Sequence, residues 1–139
     1  FILINGNKDP DFEKKIFKIN KKIEIFYCNY KPENIAEFKN IDLLAIAGIG
    51  NPENFFDLLK DNGLQVKKKL IFPDHYNFNE IEINKILIEA NKNNLRVIVT
   101  EKDFMRLKKF NLKNVSYLKT TLEIENKQNL LKKILEFYV

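Results

Sequence analysis

The chain holds one cysteine, one histidine, one methionine and four glycines in 139 residues, and arginine occurs only at positions 96 and 106. A lone Cys28 forms no internal disulfide and fits a reducing compartment. With one Cys and one His far apart, metal-ligand spacing is absent too. No G-x-x-x-x-G-K-[ST] run occurs, so the sequence carries no P-loop. A Ser-His-Asp site would have only Ser116 as nucleophile, inside a predicted strand. Apolar runs such as LLAIAGI are far too short to span a bilayer, and no signal-peptide pattern is present. The chain begins FILING, without an initiator methionine, and enters a strand-like run at once. The expectation is a soluble fragment of a longer protein.

What is present fits one globular domain over residues 1–139, large enough to bury roughly 70% of its unfolded surface. Hydrophobic residues make up 45% and charged residues 31%, ordinary for a soluble protein. The formal charge of +5 invites a nucleic-acid or anionic-membrane partner. The distribution argues for caution. Nearly all the positive charge is lysine, in a composition also rich in Asn, Ile and Phe, as AT-rich codon usage produces. Apart from Lys67-Lys68-Lys69 and short pairs such as Lys14-Lys15, the lysines are scattered among acids, which favours a solvated face over a binding patch. No nucleic-acid partner is expected.

Strand and helix signals alternate. FILIN (1–5), IEIFYC (23–28), IDLLAIAG (41–48), LQVKKKLIF (64–72), LRVIVT (95–100) and VSYLKT (115–120) read as strands. The unbroken apolar run in 41–48 marks a strand buried on both faces, and the lysines of 64–72 suggest a sheet edge. Helices are expected over 11–19 with apolar Phe12, Ile16 and Ile19 at helical spacing, from Pro32 through Phe38, and after Asn51-Pro52-Glu53 to a cap near Gly63. Further helices are expected over 81–91 behind a capping box Asn77-x-x-Glu80, after Thr100-x-x-Asp103 with Met105 and Leu107, and over 127–138. The class is α/β, three layers α/β/α, with a mostly parallel sheet.

Three polar segments fall just after predicted strands: AGIGNP (47–52), FPDH (72–75) and TEKD (100–103). In an open parallel sheet the carboxyl ends of the strands share one edge, and ligands bind in the crevice there. The candidate cleft-lining residues are therefore Gly48, Gly50, Asn51, Asp74, Thr100, Glu101, Lys102 and Asp103. Each segment also has a plainer reading. Gly48 and Gly50 begin like a dinucleotide fingerprint, but Glu53 holds the third glycine position and would repel a phosphate, so a tight strand-to-helix turn is favoured. Thr100 and Asp103 are what a helix start requires in any case, while Lys102 could face an anion. A histidine changes charge close to neutral pH, so His75 is a candidate acid or base. Its neighbour Asp74 is poorly placed to orient it, and motif context alone favours an ordinary turn residue. A non-enzymatic module binding a nucleotide or another anion remains the alternative.

AIAGIGNPENFFDLL, then IFPDHYNF, then VIVTEKD, followed by VSYLKTTLEI, resembles the tetraacyldisaccharide 4′-kinase family, whose members phosphorylate the lipid A precursor in Gram-negative bacteria. The likeness is good from Ile41 to about Ile124 and looser elsewhere. It implies a kinase of two α/β domains with a cleft between them. Such an enzyme would carry the γ-phosphate of ATP, with Mg²⁺, to the 4′-hydroxyl of an acylated glucosamine disaccharide at the cytoplasmic face of the inner membrane. ATP and Mg²⁺ would be held mainly by an N-terminal P-loop domain, which also makes the membrane contact, and this chain would be the second domain. The resemblance implies that His75 acts with a carboxylate of the first domain to activate the sugar hydroxyl, with no metal ligand in this chain. For the other candidates it implies only a place in the cleft.

Overall fold

Fourteen segments of regular structure run along the computed structural model, which describes residues 1–136. In order they are β1 (Ile2–Asn5), α1 (Pro10–Ile19), β2 (Ile25–Pro32), a 3₁₀ turn (Ile35–Phe38), β3 (Asp42–Ala47), α2 (Pro52–Asp61), β4 (Gln65–Ile71) and α3 (Glu80–Lys92). β5 (Arg96–Thr100), α4 (Glu101–Leu107), a second 3₁₀ turn (Lys108–Phe110), β6 (Val115–Leu118), β7 (Thr120–Ile124) and α5 (Lys127–Leu135) complete the series. The class is α/β, with parallel pairing of β1 with β2, β3 with β4 and β5, and β5 with β6. Where the sequence suggests one sheet in one domain, there are two sheets, and the chain divides into two compact units. One unit spans 32–120. The other joins 1–31 to the chain from Thr121 onward.

The first of these carries a four-stranded sheet in the order β4-β3-β5-β6. On central β3 the side chains alternate between two cores. Leu43, Ala45 and Ala47 pack with Phe55, Phe56 and Leu59 of α2, while Leu44 and Ile46 pack with Ile83 and Ala90 of α3 and Leu107 of α4. Both faces are buried, which is why the sequence of β3 is continuously apolar rather than alternating. Helices on both faces make this unit three-layered. From β3 the chain moves outward to β4 by way of α2, then returns past β3 to β5 and moves outward the other way to β6. The reversal lies between β3 and β5, where open α/β sheets form their crevice.

β4 is an edge strand, and it is guarded. A register shift sets Leu43 opposite Val66 but Leu44 opposite Lys68, a bulge that discourages further pairing. The three lysines of this strand each meet an acid: Lys67 lies 3.5 Å from Asp42, Lys69 3.6 Å from Glu53, and Lys68 pairs with Glu89. The run is thus neutralised along its length, which weighs against an anion-binding patch. Lys69 also sits over the Phe56 ring.

The remaining unit holds a smaller sheet in the order β1-β2-β7. Phe26, Tyr27 and Cys28 of β2 are buried, as are Ile16 of α1 and Leu130 of α5. Of the three apolar residues at helical spacing in α1, only Ile16 is buried; Phe12 and Ile19 are exposed. Asp9 caps α1, accepting from the N–H groups of Asp11 and Phe12. The Tyr27 hydroxyl donates to Glu13 at 2.7 Å, and that bond, with partial desolvation, pushes the phenol pKa up. The expected terminal helix forms through Leu135, and positions 137 and 138 of that expectation lie outside the described residues.

Helix ends account for the other departures. α3 begins at Glu80, one residue before the expected span, and its cap is Asn79, which accepts from the Glu82 N–H, rather than the expected Asn77. Asn51 holds the cap position of α2 but makes no side-chain cap bond. β2 runs on to Pro32, shortening the expected helix there to the 3₁₀ turn, and β7 is a strand that the sequence pattern does not separate from β6. Of the two apolar residues carried by α4 in that expectation, Leu107 is buried and Met105 is exposed. At the end of α2, Gly63 adopts φ 73°, and the bonds Gly63 N–H to Lys60 O and Leu64 N–H to Leu59 O close a Schellman motif. Nothing lies within 4 Å of a Cβ built at Gly63, so the requirement is conformational alone. Gly63→Ala is expected to lower stability by about 1–2 kcal/mol, and Gly63→Asn by less, in urea unfolding.

Candidate functional site

The segments after β3, β4 and β5 do meet at the carboxyl edge of the four-stranded sheet, and the group that joins two of them is buried. Asp103 is completely buried, the only buried charged side chain among the described residues. Its Oδ2 accepts from the Gly48 N–H at 2.8 Å and from the Thr100 hydroxyl at 2.8 Å. Its Oδ1 accepts from Arg106 Nη1 at 3.1 Å. Thr100 in turn accepts from the Asp103 N–H at 3.1 Å, the cap bond that the T-x-x-D spacing predicts. In a capping box the N3 acid reaches back to the cap residue's own backbone. Here it reaches the neighbouring strand instead and takes the first peptide after β3.

Arg106 completes the clamp. Nη1 also donates to the Gly48 carbonyl at 2.9 Å, so the Asp103–Arg106 pair satisfies both backbone groups of a buried residue that has left the ladder. The approach is tight: a Cβ on residue 48 would lie 3.2 Å from Asp103 Oδ1 and 3.4 Å from the Phe78 ring, so either neighbour would have to give by a few tenths of an ångström. The Gly48 N–H is occupied from below. Of the residues expected to line a cleft, Gly48 and Asp103 are buried, and the Gly48 N–H is committed to the carboxylate.

Above the clamp sits the FPDH turn. Phe72 N–H bonds to Ala47 O at 2.8 Å, carrying the register of β4 one residue past the strand. Tyr76 N–H then closes a turn on Pro73 O at 3.1 Å, with Asp74 and His75 at its tip. Phe72, Tyr76 and Phe78 form a mutually packed aromatic base, with ring centroids 4.8 to 5.1 Å apart. The Tyr76 hydroxyl donates to Glu82 at 3.1 Å, which with partial desolvation raises its pKa. Asp74 Oδ1 accepts from the His75 N–H at 2.9 Å and lies 3.5 Å from Lys102 Nζ. Desolvation pushes the Asp74 carboxyl up, but His75 and Lys102 outweigh it and hold the pKa below the usual carboxylate value. A Cβ on Gly50 would come 3.4 Å from Asp74 Oδ2, so the loop after β3 touches this turn as well.

His75 stands on top, its side chain 74% exposed and its backbone at φ 60°. The Asp74 carboxylate is no partner for the ring, since Oδ2 lies 3.8 Å from Nε2, beyond hydrogen-bond range. Instead Nδ1 lies 3.1 Å from Arg106 Nη2. Sequence reasoning gave His75 no partner in this chain and missed Arg106 altogether. Two signals for it exist: the spacing of three from Asp103 along a helix, and the rarity of arginine in a lysine-rich chain. Asn51, Glu101 and Lys102 are exposed at the starts of α2 and α4, and Lys102 alone of these is tied to the turn. Among the described residues no group of three or more His, Cys, Asp or Glu side chains gathers that could hold a metal ion.

Two outcomes follow from this geometry. Asp103→Ala leaves the Gly48 N–H and part of Arg106 without their partner and is expected to cost roughly 2–4 kcal/mol in denaturant unfolding. At position 75 the left-handed backbone disfavours any Cβ, so His75→Gly is expected to be about 1 kcal/mol more stable than His75→Ala by the same measurement.

The sequence profile of the tetraacyldisaccharide-1-P 4'-kinase family matches residues 1–138. The tetraacyldisaccharide 4'-kinase of Pelagibacter ubique is 36% identical over 138 residues, covering 97% of this chain and 44% of that protein. The enzyme of the same name from Rickettsia akari is 39% identical over 101 residues, covering 73% of this chain and 30% of its own length. The crystal structure of LpxK from Aquifex aeolicus in complex with ATP superposes with a TM-score of 0.52 at 20% identity, over 99% of this chain and 51% of that one, a likeness of fold. The chain thus spans less than half the length of these two relatives. By the match along nearly its whole length, this chain belongs to the tetraacyldisaccharide-1-P 4'-kinase family.

Proposed function

We propose that the chain is part of a lipid kinase that carries the γ-phosphate of ATP to the 4′-hydroxyl of an acylated glucosamine disaccharide, a step of lipid A biosynthesis. Family membership supports the reaction. The observation that carries the site is His75, held in a strained backbone conformation at the carboxyl edge of a parallel sheet with its ring turned out to solvent.

Phosphoryl transfer needs positioning, charge stabilisation and one group to receive the hydroxyl proton. In this reading a separate P-loop domain, N-terminal in the full-length enzyme, binds ATP and Mg²⁺. The described residues do not fit a metal site and are assigned none. His75 forms half of an acid–base pair whose carboxylate comes from that other domain, so the pair is assembled when the two close on the substrate and exclude water from the γ-phosphate. Lys102, 3.5 Å from Asp74, and Gly50, where a Cβ would lie 3.4 Å from the same carboxylate, adjoin the turn and are assigned only a place in the cleft. The proposed setting is the cytoplasmic face of the bacterial inner membrane, with peripheral contact through the rest of the protein. No helix among the described residues is long and apolar enough to cross a membrane.

In the full-length protein, His75→Ala is expected to lower kcat by about 10²–10⁴-fold, the usual contribution of a positioned acid or base. Steady-state phosphorylation of a tetraacyldisaccharide 1-phosphate measures this, and an unchanged kcat removes His75 from the reaction. The 139-residue chain alone, lacking a P-loop in its sequence, is expected to show no ATP-dependent phosphorylation of the same lipid.

A further inference from the structure

The contact between Arg106 and His75 constrains the imidazole more than exposure suggests. A guanidinium has donors only and does not lose its proton in proteins. In the 3.1 Å contact Arg106 Nη2 therefore donates, and His75 Nδ1 accepts with its lone pair. The ring proton of the neutral imidazole is then on Nε2. That N–H is not absorbed by Asp74, whose nearest oxygen is 3.8 Å away and whose Oδ1 already accepts from the His75 backbone.

Arg106 can fix the ring because it is itself fixed. Its side chain is only 22% exposed, and Nη1 is held between Asp103 Oδ1 at 3.1 Å and the Gly48 carbonyl at 2.9 Å. The planar fork sets the direction of Nη2 once Nη1 is pinned. A lysine could satisfy Asp103 with its single ammonium but has no second, rigidly related nitrogen to offer the ring. The buried carboxylate, the guanidinium and the imidazole form one line running from the crevice between β3 and β5 out to solvent.

We propose that Arg106 is a positioning residue for His75: anchored on Asp103 and Gly48, it holds the imidazole as the Nε2–H tautomer, so that His75 presents a hydrogen-bond donor rather than a vacant lone pair. A donor is the complement of a carboxylate. In the kinase reading, that donor is what His75 offers to the carboxylate of the pair already described. The catalytic consequence rests on the kinase reading above, whereas the tautomer does not.

The chain has a single histidine, so its ring nitrogens are read without ambiguity in a long-range ¹H–¹⁵N spectrum. At a pH where the ring is neutral, the native chain is expected to show the Nε2–H tautomer alone, and the urea-unfolded chain the mixture of tautomers found in solvent. Arg106→Lys, which keeps a cation for Asp103, is expected to return the folded chain to that mixture. Should this variant not fold, Arg106→Gln carries the same readout. A proton on Nδ1 in the native chain, a native spectrum matching the unfolded mixture, or a folded variant unchanged from native would overturn the proposal. In the full-length enzyme Arg106→Lys is expected to lower kcat about 10–100-fold with little change in KM, and to have no further effect in a His75→Ala background. A further loss in that background would show a role for Arg106 apart from His75. A full-length protein without kinase activity would remove the kinase reading and leave the tautomer result standing.

Discussion

The unit spanning residues 32–120 depends on one buried carboxylate. Open parallel sheets leave a crevice where the chain reverses its direction of winding, here between the carboxyl ends of β3 and β5, and that crevice is where a ligand would ordinarily enter. Asp103 fills it. The carboxylate carries a charge into a place with no solvent, which is tolerable only because three donors meet it: a backbone N–H, a hydroxyl and a guanidinium. Each donor belongs to a segment whose position it then fixes. Gly48 is held against the start of α4, Thr100 is locked as its cap, and Arg106 is held over the Gly48 carbonyl. The groups left accessible at this edge are those of the FPDH turn and the residues around it.

Seen this way, the strained turn has a reason. The described residues contain five non-glycine positions with positive φ, and four of them are asparagine, a residue that tolerates this conformation. The fifth is His75. A chain so short of glycine uses asparagine at its ordinary reversals, so a histidine at such a position is an exception that packing does not explain, since the ring is exposed. The aromatic base of Phe72, Tyr76 and Phe78 and the Asp74–His75 backbone bond hold the turn in place. In the proposed reading, the strain kept at this exposed edge serves the reaction rather than stability.

Much of this was legible in residues. The unbroken apolar run of β3, the proline that opens α2 and the T-x-x-D spacing each encode local structure, through burial, a preset backbone angle or capping, and each forms where the pattern places it. The three strand-end motifs converge because a parallel sheet leaves them little choice. Other features depended on geometry between distant segments. Asp103 and Thr100 read as a cap, but that the acid would reach Gly48, fifty-five residues away, has no local signature. Arg106 is hidden for the same reason: its fork joins the loops after β3 and β4, and neither adjoins it in sequence. The division into two units also escapes a local reading, because β7 follows β6 after a single residue yet belongs to the other sheet. The lysines of β4 showed the opposite case, where a charge run that suggests a partner is answered by acids on neighbouring elements.

The claim on which the rest stands is that Asp103 clamps the end of β3, and the amide of Gly48 reports on it directly. Native-state hydrogen exchange of that single N–H is the most direct measurement. A loop amide just past a strand would ordinarily exchange through small local openings, whereas one bonded to a buried carboxylate exchanges only when the clamp itself opens. The account predicts protection of Gly48 comparable to that of the β3 amides of Leu44 and Ile46. Exchange of Gly48 at the rate of an exposed loop would contradict it.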